Sequence, residues 1–320
     1  MPIIRTVTGD ISPFELGITH AHEHTVILPG KSSQLHPALL IDSPEKTIAE
    51  LLDYKQAGGN AVVDAQPIGV ERSPKWMREI SRRTGIRIIA ATGFHRSCFY
   101  PDDHFLWHDS AEQLASRIEH EINIGMIEDA IGEQTDIRAG VIKFTSEYHF
   151  IPRIEQKAAE AAAIAHQKTG IPILTHTELG TCALEQIQLA ETHGVSPSAM
   201  ILCHLDRNPD RFLHKEIAST GAFLVYDGIA RTKYWPDSVI IDLILEMVDA
   251  GYEKQIMLAM DVIRTTYTHY GGGPGLNYLL TRFIPRLQKA GVTKQNTDCF
   301  LIHNPSLAYG RKELQTTITQ

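Results

Sequence analysis

Imidazole is the most conspicuous chemistry in this sequence, supplied by 16 His among 320 residues. Several of them stand at the ends of short apolar runs, in company with other groups that can bind a cation. One run ends in His20-Ala21-His22-Glu23-His24, and others carry Lys143, His176, His204 and Asp261. Neutral imidazole and carboxylate suit zinc and related divalent ions and need no thiolate. Residues two apart on a strand share a face, so two histidines of an H-x-H can grip one ion together. That spacing fits His22 with His24, and equally His20 with His22. A single His at a strand end, or an Asp after an apolar run, is ordinary. One chemical type at the same end of five runs is not, and it points to a metal site.

Lys143, in VIKFT, is the odd member. Its ammonium has no lone pair, would repel a cation, and has a reference pKa near 10.4. A lysine buried beside metals can lose its proton and react with carbon dioxide. The resulting carbamate, N6-carboxylysine, is an anionic two-oxygen group able to bridge two ions. Cys203 precedes His204 and, on a regular strand, points the opposite way into a core.

The elements that must position these groups alternate along the chain. LGITHAH, NAVVDAQ, IRIIAATG, AGVIKFTS, IPILTHT, AMILCHL, GAFLVYDG and QIMLAMD read as eight strands. Each is nearly continuously apolar, as parallel strands covered on both faces are. Between them lie amphipathic helices. Ser43-Pro44 and Ser73-Pro74 supply N-caps, and Gly85, Gly170 and similar glycines supply stops. Eight strand–helix units in about 300 residues predict a (β/α)8 TIM barrel with its chemistry at the C-terminal ends of the strands. We read residues 1–320 as a single domain with a core over about 10–310. A doubly wound open sheet is the runner-up, but no G-x-G-x-x-G or Walker loop follows any strand. The Gly271–Gly275 segment, GGGPG, reads as a loop hinge or a close approach to substrate.

Composition narrows the partners. Lys+Arg number 30 and Asp+Glu 38, for a net charge of −8, which argues against nucleic acid. The four Cys show no C-x-x-C spacing, which argues against a thiolate zinc site or a disulfide framework. The N-terminal MPIIRTVTGD lacks the pattern of a signal peptide, and no apolar run is long enough to span a membrane. The expectation is a cytoplasmic protein with reduced thiols and no membrane partner.

The chain resembles the phosphotriesterase-like group of the amidohydrolase superfamily, which includes phosphotriesterases and lactonases. The resemblance is carried by GITHAHEH, AGGNAVVDAQ, RAGVIKFT, TGIPILTHT, GVSPSAMILCH, DAGYEKQIMLAMD and HNPSLAYG, in family order over roughly 10–310. It implies His22, His24 and Asp261 on a buried metal. It also implies Lys143, as a carbamate, bridging to a second metal on His176 and His204. His20 is then a neighbour of the ligands and not one of them. The implied cofactors are two divalent ions, zinc first, with manganese or cobalt accepted by the same ligands, together with carbon dioxide for the carbamate. The implied activity is hydrolysis of an ester bond by a hydroxide held between the metals, with Asp261 as the catalytic proton acceptor. The family is often dimeric, which implies a homodimer.

The loops choose the substrate. The family's simple lactonases usually place a tyrosine after AATG and Asp-Arg-Tyr after strand seven. Here Phe94-His95 and Tyr226-Asp227-Gly228 occupy those stretches. Both departures weigh against a hydrophobic homoserine lactone and against a neutral organophosphate triester. In their place the loops offer cations: Arg207, then Arg231 and Lys233, then Arg264 with Tyr267 nearby. Arginine forks and a lysine suit a phosphate group, and barrels often hold phosphate after strands seven and eight. KFTSEY and GGGPGLNYLL resemble the branch that hydrolyses phosphorylated sugar lactones. The expected substrate is therefore an aldono-1,4-lactone carrying a phosphate. An organophosphate triester or an unphosphorylated lactone is the alternative at the same metal centre.

Overall fold

The computed structural model describes residues 2–311. A short antiparallel hairpin, Ile4–Thr6 with Gly9–Ile11, precedes the main sheet. The sheet has eight parallel strands: β1 (Thr19–Glu23), β2 (Ala61–Asp64), β3 (Arg87–Gly93), β4 (Val141–Thr145), β5 (Ile173–His176), β6 (Met200–Cys203), β7 (Phe223–Tyr226) and β8 (Ile256–Leu258). They pair in chain order from β1 to β8. Every run expected to be a strand is one. The seven principal helices between them are α1 (Pro44–Gln56), α2 (Pro74–Thr84), α3 (Ala111–Asn123), α4 (Arg153–Thr169), α5 (Ala183–Thr192), α6 (Arg211–Ser219) and α7 (Asp237–Asp249). This is the expected (β/α)8 barrel.

Alternation along each strand sorts the apolar residues into two buried sets. Val62, Ile88, Ile142, Ile173, Leu202 and Leu224 face outward and pack beneath the helices. Val63, Ile89, Val141, Leu174, Ile201, Val225 and Met257 face inward and fill the barrel. Burying an aliphatic side chain of this size contributes roughly 1.5–3 kcal/mol, which is why both faces of each strand are apolar. On β4 the inward set is Val141 and then Lys143, so the lysine crowns a stack of hydrocarbon at the open end of the barrel. The lower end is stoppered by Tyr309, whose hydroxyl donates to the Ala21 carbonyl at 2.5 Å.

The helix signals differ in detail. The Ser73 side chain caps α2 by accepting from Trp76 N, whereas Ser43 precedes α1 without a side-chain cap bond. Gly85 and Gly170 end α2 and α4 in the left-handed conformation that glycine adopts without a Cβ clash.

β8 and β1 lie side by side at the seam of the barrel but share no ladder among the described residues. A side chain bridges them. Glu23 Oε1 accepts from Met260 N and Oε2 from Val262 N, both at 2.8 Å.

Candidate metal centre

Three local departures from regular strand geometry build the site. The first lies in β1, whose register against β2 shifts between His20 and Glu23. An irregularity of this kind re-aims the side chains that follow it. His20 therefore leaves the cavity side. Its Nδ1 sits 2.6 Å from Glu23 Oε1 and its ring packs edge-on against Tyr54. His20 and His22 do not share a face as simple alternation would have it, and the gripping pair is His22 with His24.

The second departure is His204, which follows β6 with φ 68°. The third is Asp261, three residues beyond the end of β8 with φ 45°. Left-handed backbone at a non-glycine residue costs about 1–3 kcal/mol and persists only where surrounding structure imposes it. The turn at His204 also corrects the expectation for Cys203. Both side chains reach the barrel interior, and the Cys203 thiol lies within 4.8 Å of donor atoms of His22 and Asp227.

His22, His24 and Asp261 converge as the sequence implied. Asp261 Oδ1 stands 3.4 Å from His24 Nε2 and 3.8 Å from His22 Nε2. Donor atoms held about 2.1 Å from one ion at tetrahedral angles lie roughly 3.4 Å apart. Both nitrogens of the buried His22 ring lack a hydrogen-bond partner among the described residues, a costly arrangement unless something else binds them. Burial holds the His22 and His204 imidazoles well below their usual range and His176 down at about 4. These rings are therefore neutral, the form that ligates metals. The residues present fit a bound divalent ion.

The second half of the site is looser. The His176 and His204 rings lie 4.5 Å apart, but His176 Nε2 is turned to Glu178 Oε2 at 2.9 Å. Lys143 is buried, donates to the Ala65 carbonyl at 2.8 Å, and is lowered by that burial to about 8. Burial alone would raise the Asp261 carboxyl. Arg231 and then Arg207 outweigh it and hold Asp261 well below the usual carboxylate range.

Carboxylates that sequence reasoning did not select hold the ligands in place. Asp227 Oδ1 lies 2.8 Å from His204 Nδ1, and Asp227 Oδ2 lies 3.4 Å from His22 Nδ1. The carboxyl at His204 Nδ1 fixes the orientation and tautomer of that ring. Asp206 in turn accepts from Asp227 N and Gly228 N. Asp64 accepts from Thr25 N at 2.7 Å and so anchors the residue after His24. Their only signal in the sequence is position, since each is an acid just beyond an apolar run.

A cavity of about 310 Å3 opens over these groups, lined by His22, His24, Lys143, His176, His204 and Asp261. Arg207, Arg231 and Lys233 share its wall. Arg207 Nη2 donates to Asp261 Oδ2 at 2.5 Å, and Arg231 also pairs with that carboxylate. The other two expected anchors are not brought here. Arg264 Nη1 donates to Asp42 Oδ1 and the Leu40 carbonyl, each at 3.0 Å, so it ties loop eight to the segment after β1. Tyr267 is fully buried, and its hydroxyl donates to the His24 carbonyl at 2.7 Å. That bond tethers the backbone of His24 from behind the cavity. The glycines of GGGPG make their close approach to residues 264–268 of the same loop and not to the cavity.

Comparison with known proteins agrees with this geometry. The sequence profile of the Phosphotriesterase family matches residues 2–309. A phospho-furanose lactonase of Mycoplasmopsis synoviae is 36% identical, with 96% of this chain and 92% of that protein covered. A lactonase from Listeria monocytogenes superposes with a TM-score of 0.91 at 34% identity, covering 97% of this chain and all of that one. The phosphotriesterase homology protein of Escherichia coli, solved with phosphate in its active site, superposes at 0.86 with 31% identity, covering 92% and 99% of the two chains. With the ligand set, the barrel and the match all spanning the same residues, the chain belongs to the phosphotriesterase family of ester-hydrolysing enzymes.

Proposed function

We propose that the protein is a lactonase that opens a phosphorylated sugar lactone of the aldono-1,4 type. The observation that carries this reading is a cluster of cations in an acidic protein. Arg207, Arg231 and Lys233 line the same small cavity as the metal ligands, although the chain carries a net charge of −8. A volume of about 310 Å3 lies at the lower end for small-molecule sites. Two of the relatives, a phospho-furanose lactonase and a homologue solved with phosphate in its active site, support the same chemistry.

In this reading His22, His24 and Asp261 hold one divalent ion and His176 and His204 a second. Lys143, as N6-carboxylysine, would supply a further anionic ligand. Zinc is the first choice, with manganese or cobalt accepted by the same ligands. When bound, the ions lower the pKa of the attacking water and polarise the carbonyl. The chain's own residues do the rest. The low pKa of Lys143 leaves an appreciable fraction of neutral amine, whose nitrogen can attack carbon dioxide and then lose a proton. Asp261, kept ionised by its two arginines, accepts the proton of the attacking water. It then returns that proton to the alkoxide released as the ring C–O bond breaks. Lys233, on the cavity wall, holds the remote phosphate, which lowers KM without touching the reacting carbonyl. A cytoplasmic setting suits four unpaired cysteines, and a homodimer is the expected assembly.

The test is a pair of assays on ribono-1,4-lactone with and without a 5-phosphate. Preference for the phosphorylated lactone is expected, and equal kcat/KM for the two would sink the phosphate anchor. Activity on unphosphorylated lactones or organophosphates that survives loss of Lys233 would favour the alternative reading.

A further inference from the structure

His95 is a cavity residue that neither the ligand set nor the phosphate anchors use. The chain delivers it deliberately. β3 ends at Gly93, where a Cβ would meet the Lys143 carbonyl oxygen at 2.2 Å, and Phe94 N then donates to that same oxygen at 2.8 Å. Only a glycine allows the strand to leave the barrel so close above Lys143. Phe94 turns outward into the core, and His95 turns into the cavity.

Its orientation is fixed from several sides. The His95 backbone N–H donates to the Tyr100 hydroxyl oxygen at 2.8 Å, and that hydroxyl donates to the Ile68 carbonyl at 3.0 Å. The ring stands edge-on to Phe99, with centroids 4.7 Å apart, and 5.2 Å from the His176 ring. His95 Nδ1 lies 2.7 Å from Arg96 N, a backbone donor, so Nδ1 must be the accepting nitrogen. A ring whose Nδ1 accepts a backbone N–H is unprotonated at that nitrogen and is therefore uncharged. A neutral ring with an accepting Nδ1 carries its proton on Nε2. That N–H has no hydrogen-bond partner among the described residues, on a side chain that walls the cavity beside His176.

We propose that His95 is a catalytic residue whose Nε2–H donates to the carbonyl oxygen of the lactone as negative charge develops there. A preorganised donor of this kind stabilises the transition state more than the ground state, because its hydrogen bond strengthens as the oxygen becomes an oxyanion. The structural alternative is a core histidine that merely fills space beside Phe99. The identity of the receiving oxygen rests on the lactonase reading, whereas the tautomer does not. Neutral imidazole is the useful form here, since a cation beside the metal ligands would repel the ions.

The experiment joins kinetics to spectroscopy on the zinc-loaded enzyme. His95→Phe keeps a flat ring without a donor, and His95→Gln keeps an N–H donor on a different frame. With ribono-1,4-lactone 5-phosphate, or the best ester from a substrate panel, His95→Phe is expected to lose about 10²-fold in kcat with KM nearly unchanged. His95→Gln is expected to recover about a tenth or more of the wild-type rate. Bound metal and thermal midpoint should match wild type in both. In parallel, 15N-histidine NMR of the wild-type enzyme should show His95 as the Nε2–H tautomer near neutral pH, assigned by its absence from the variants. Equal losses in the two variants, an effect confined to KM, or an Nδ1–H tautomer would each overturn the assignment. Should the wild type open no ester at all, the lactonase reading fails, and the tautomer still decides whether His95 is set as a donor.

Discussion

Replacing Glu23 by Gln tests whether one carboxylate both closes the barrel and sets Asp261. Glu23 is fully buried and accepts from Met260 N and Val262 N, the two amides that flank Asp261, each at 2.8 Å. A hydrogen bond to a charged group contributes about 1.5–3 kcal/mol. Glutamine keeps one accepting oxygen but presents an NH2 to the other amide, so one such bond is lost and a buried N–H is orphaned. The remaining bond falls to the neutral range of about 0.5–1.5 kcal/mol. The expected destabilisation is therefore about 2–4 kcal/mol. That exceeds or equals the roughly 1–3 kcal/mol needed to hold a residue such as Asp261 in left-handed backbone. With the clamp weakened, Asp261 is expected to relax and activity to fall with stability. The assay is denaturant unfolding of the metal-free chain, so that ligand binding cannot mask the loss, together with kcat of the metal-loaded enzyme. A variant within 0.5 kcal/mol of wild type (~0.5 being the scatter of ordinary surface changes) would refute the clamp.

Other outcomes follow from the same geometry. Asp227→Asn replaces the carboxyl partner of His204 Nδ1 and should weaken metal binding about 10–100-fold, read by competition with a chelator. Lys233→Met should abolish the preference for phosphorylated over plain lactone. Arg264→Met should leave that preference intact, because Arg264 is spent on Asp42 and Leu40; the reverse pattern in paired kcat/KM measurements would refute the cavity assignment. His214 is buried between Tyr226 and the Leu205 carbonyl and is lowered by that burial to about 4. Its folded pKa lies below the unfolded value near 6.5, so its contribution is complete above that value and is lost as pH falls towards 4. His214→Gln should reduce the slope of stability against pH in this window by up to about 1.4 kcal/mol per pH unit, measured by denaturant titrations at several pH values. An unchanged slope would contradict a neutral buried His214.

The fold was legible because both faces of each strand are covered, which writes β1 to β8 as near-continuous apolar runs. The ligands were legible because they punctuate those runs with groups that have no reason to be apolar. What resisted reading was backbone geometry at the ends of the runs. Nothing in LCHL announces that His204 turns left-handed, and nothing in LAMD announces that the strand stops three residues before Asp261. Simple alternation also made His20 a rival ligand, because a register shift in β1 leaves no trace in residue type. The cations of the cavity wall were half legible for a related reason. Loop membership located Arg207, Arg231 and Lys233 near the cavity, but it could not show that Arg264 reaches for Asp42 or that Tyr267 is buried behind His24. Side-chain direction on a loop depends on the partners available, and those come from distant parts of the chain.

The spread of the ligand set along the chain has a consequence for how the enzyme comes into being. Its donors begin at His22 and end at Asp261, and Glu23 reaches across the seam to the amides beside Asp261. In the proposed centre, a polypeptide still on the ribosome and lacking that last stretch would carry every histidine ligand without the carboxylate that completes the first ion's cage. The open end of the barrel also lacks its closing edge at that stage. Correct loading with metal therefore belongs after synthesis, and a truncated product cannot become a hydrolase with an incomplete specificity. It remains a chain of unsatisfied imidazoles.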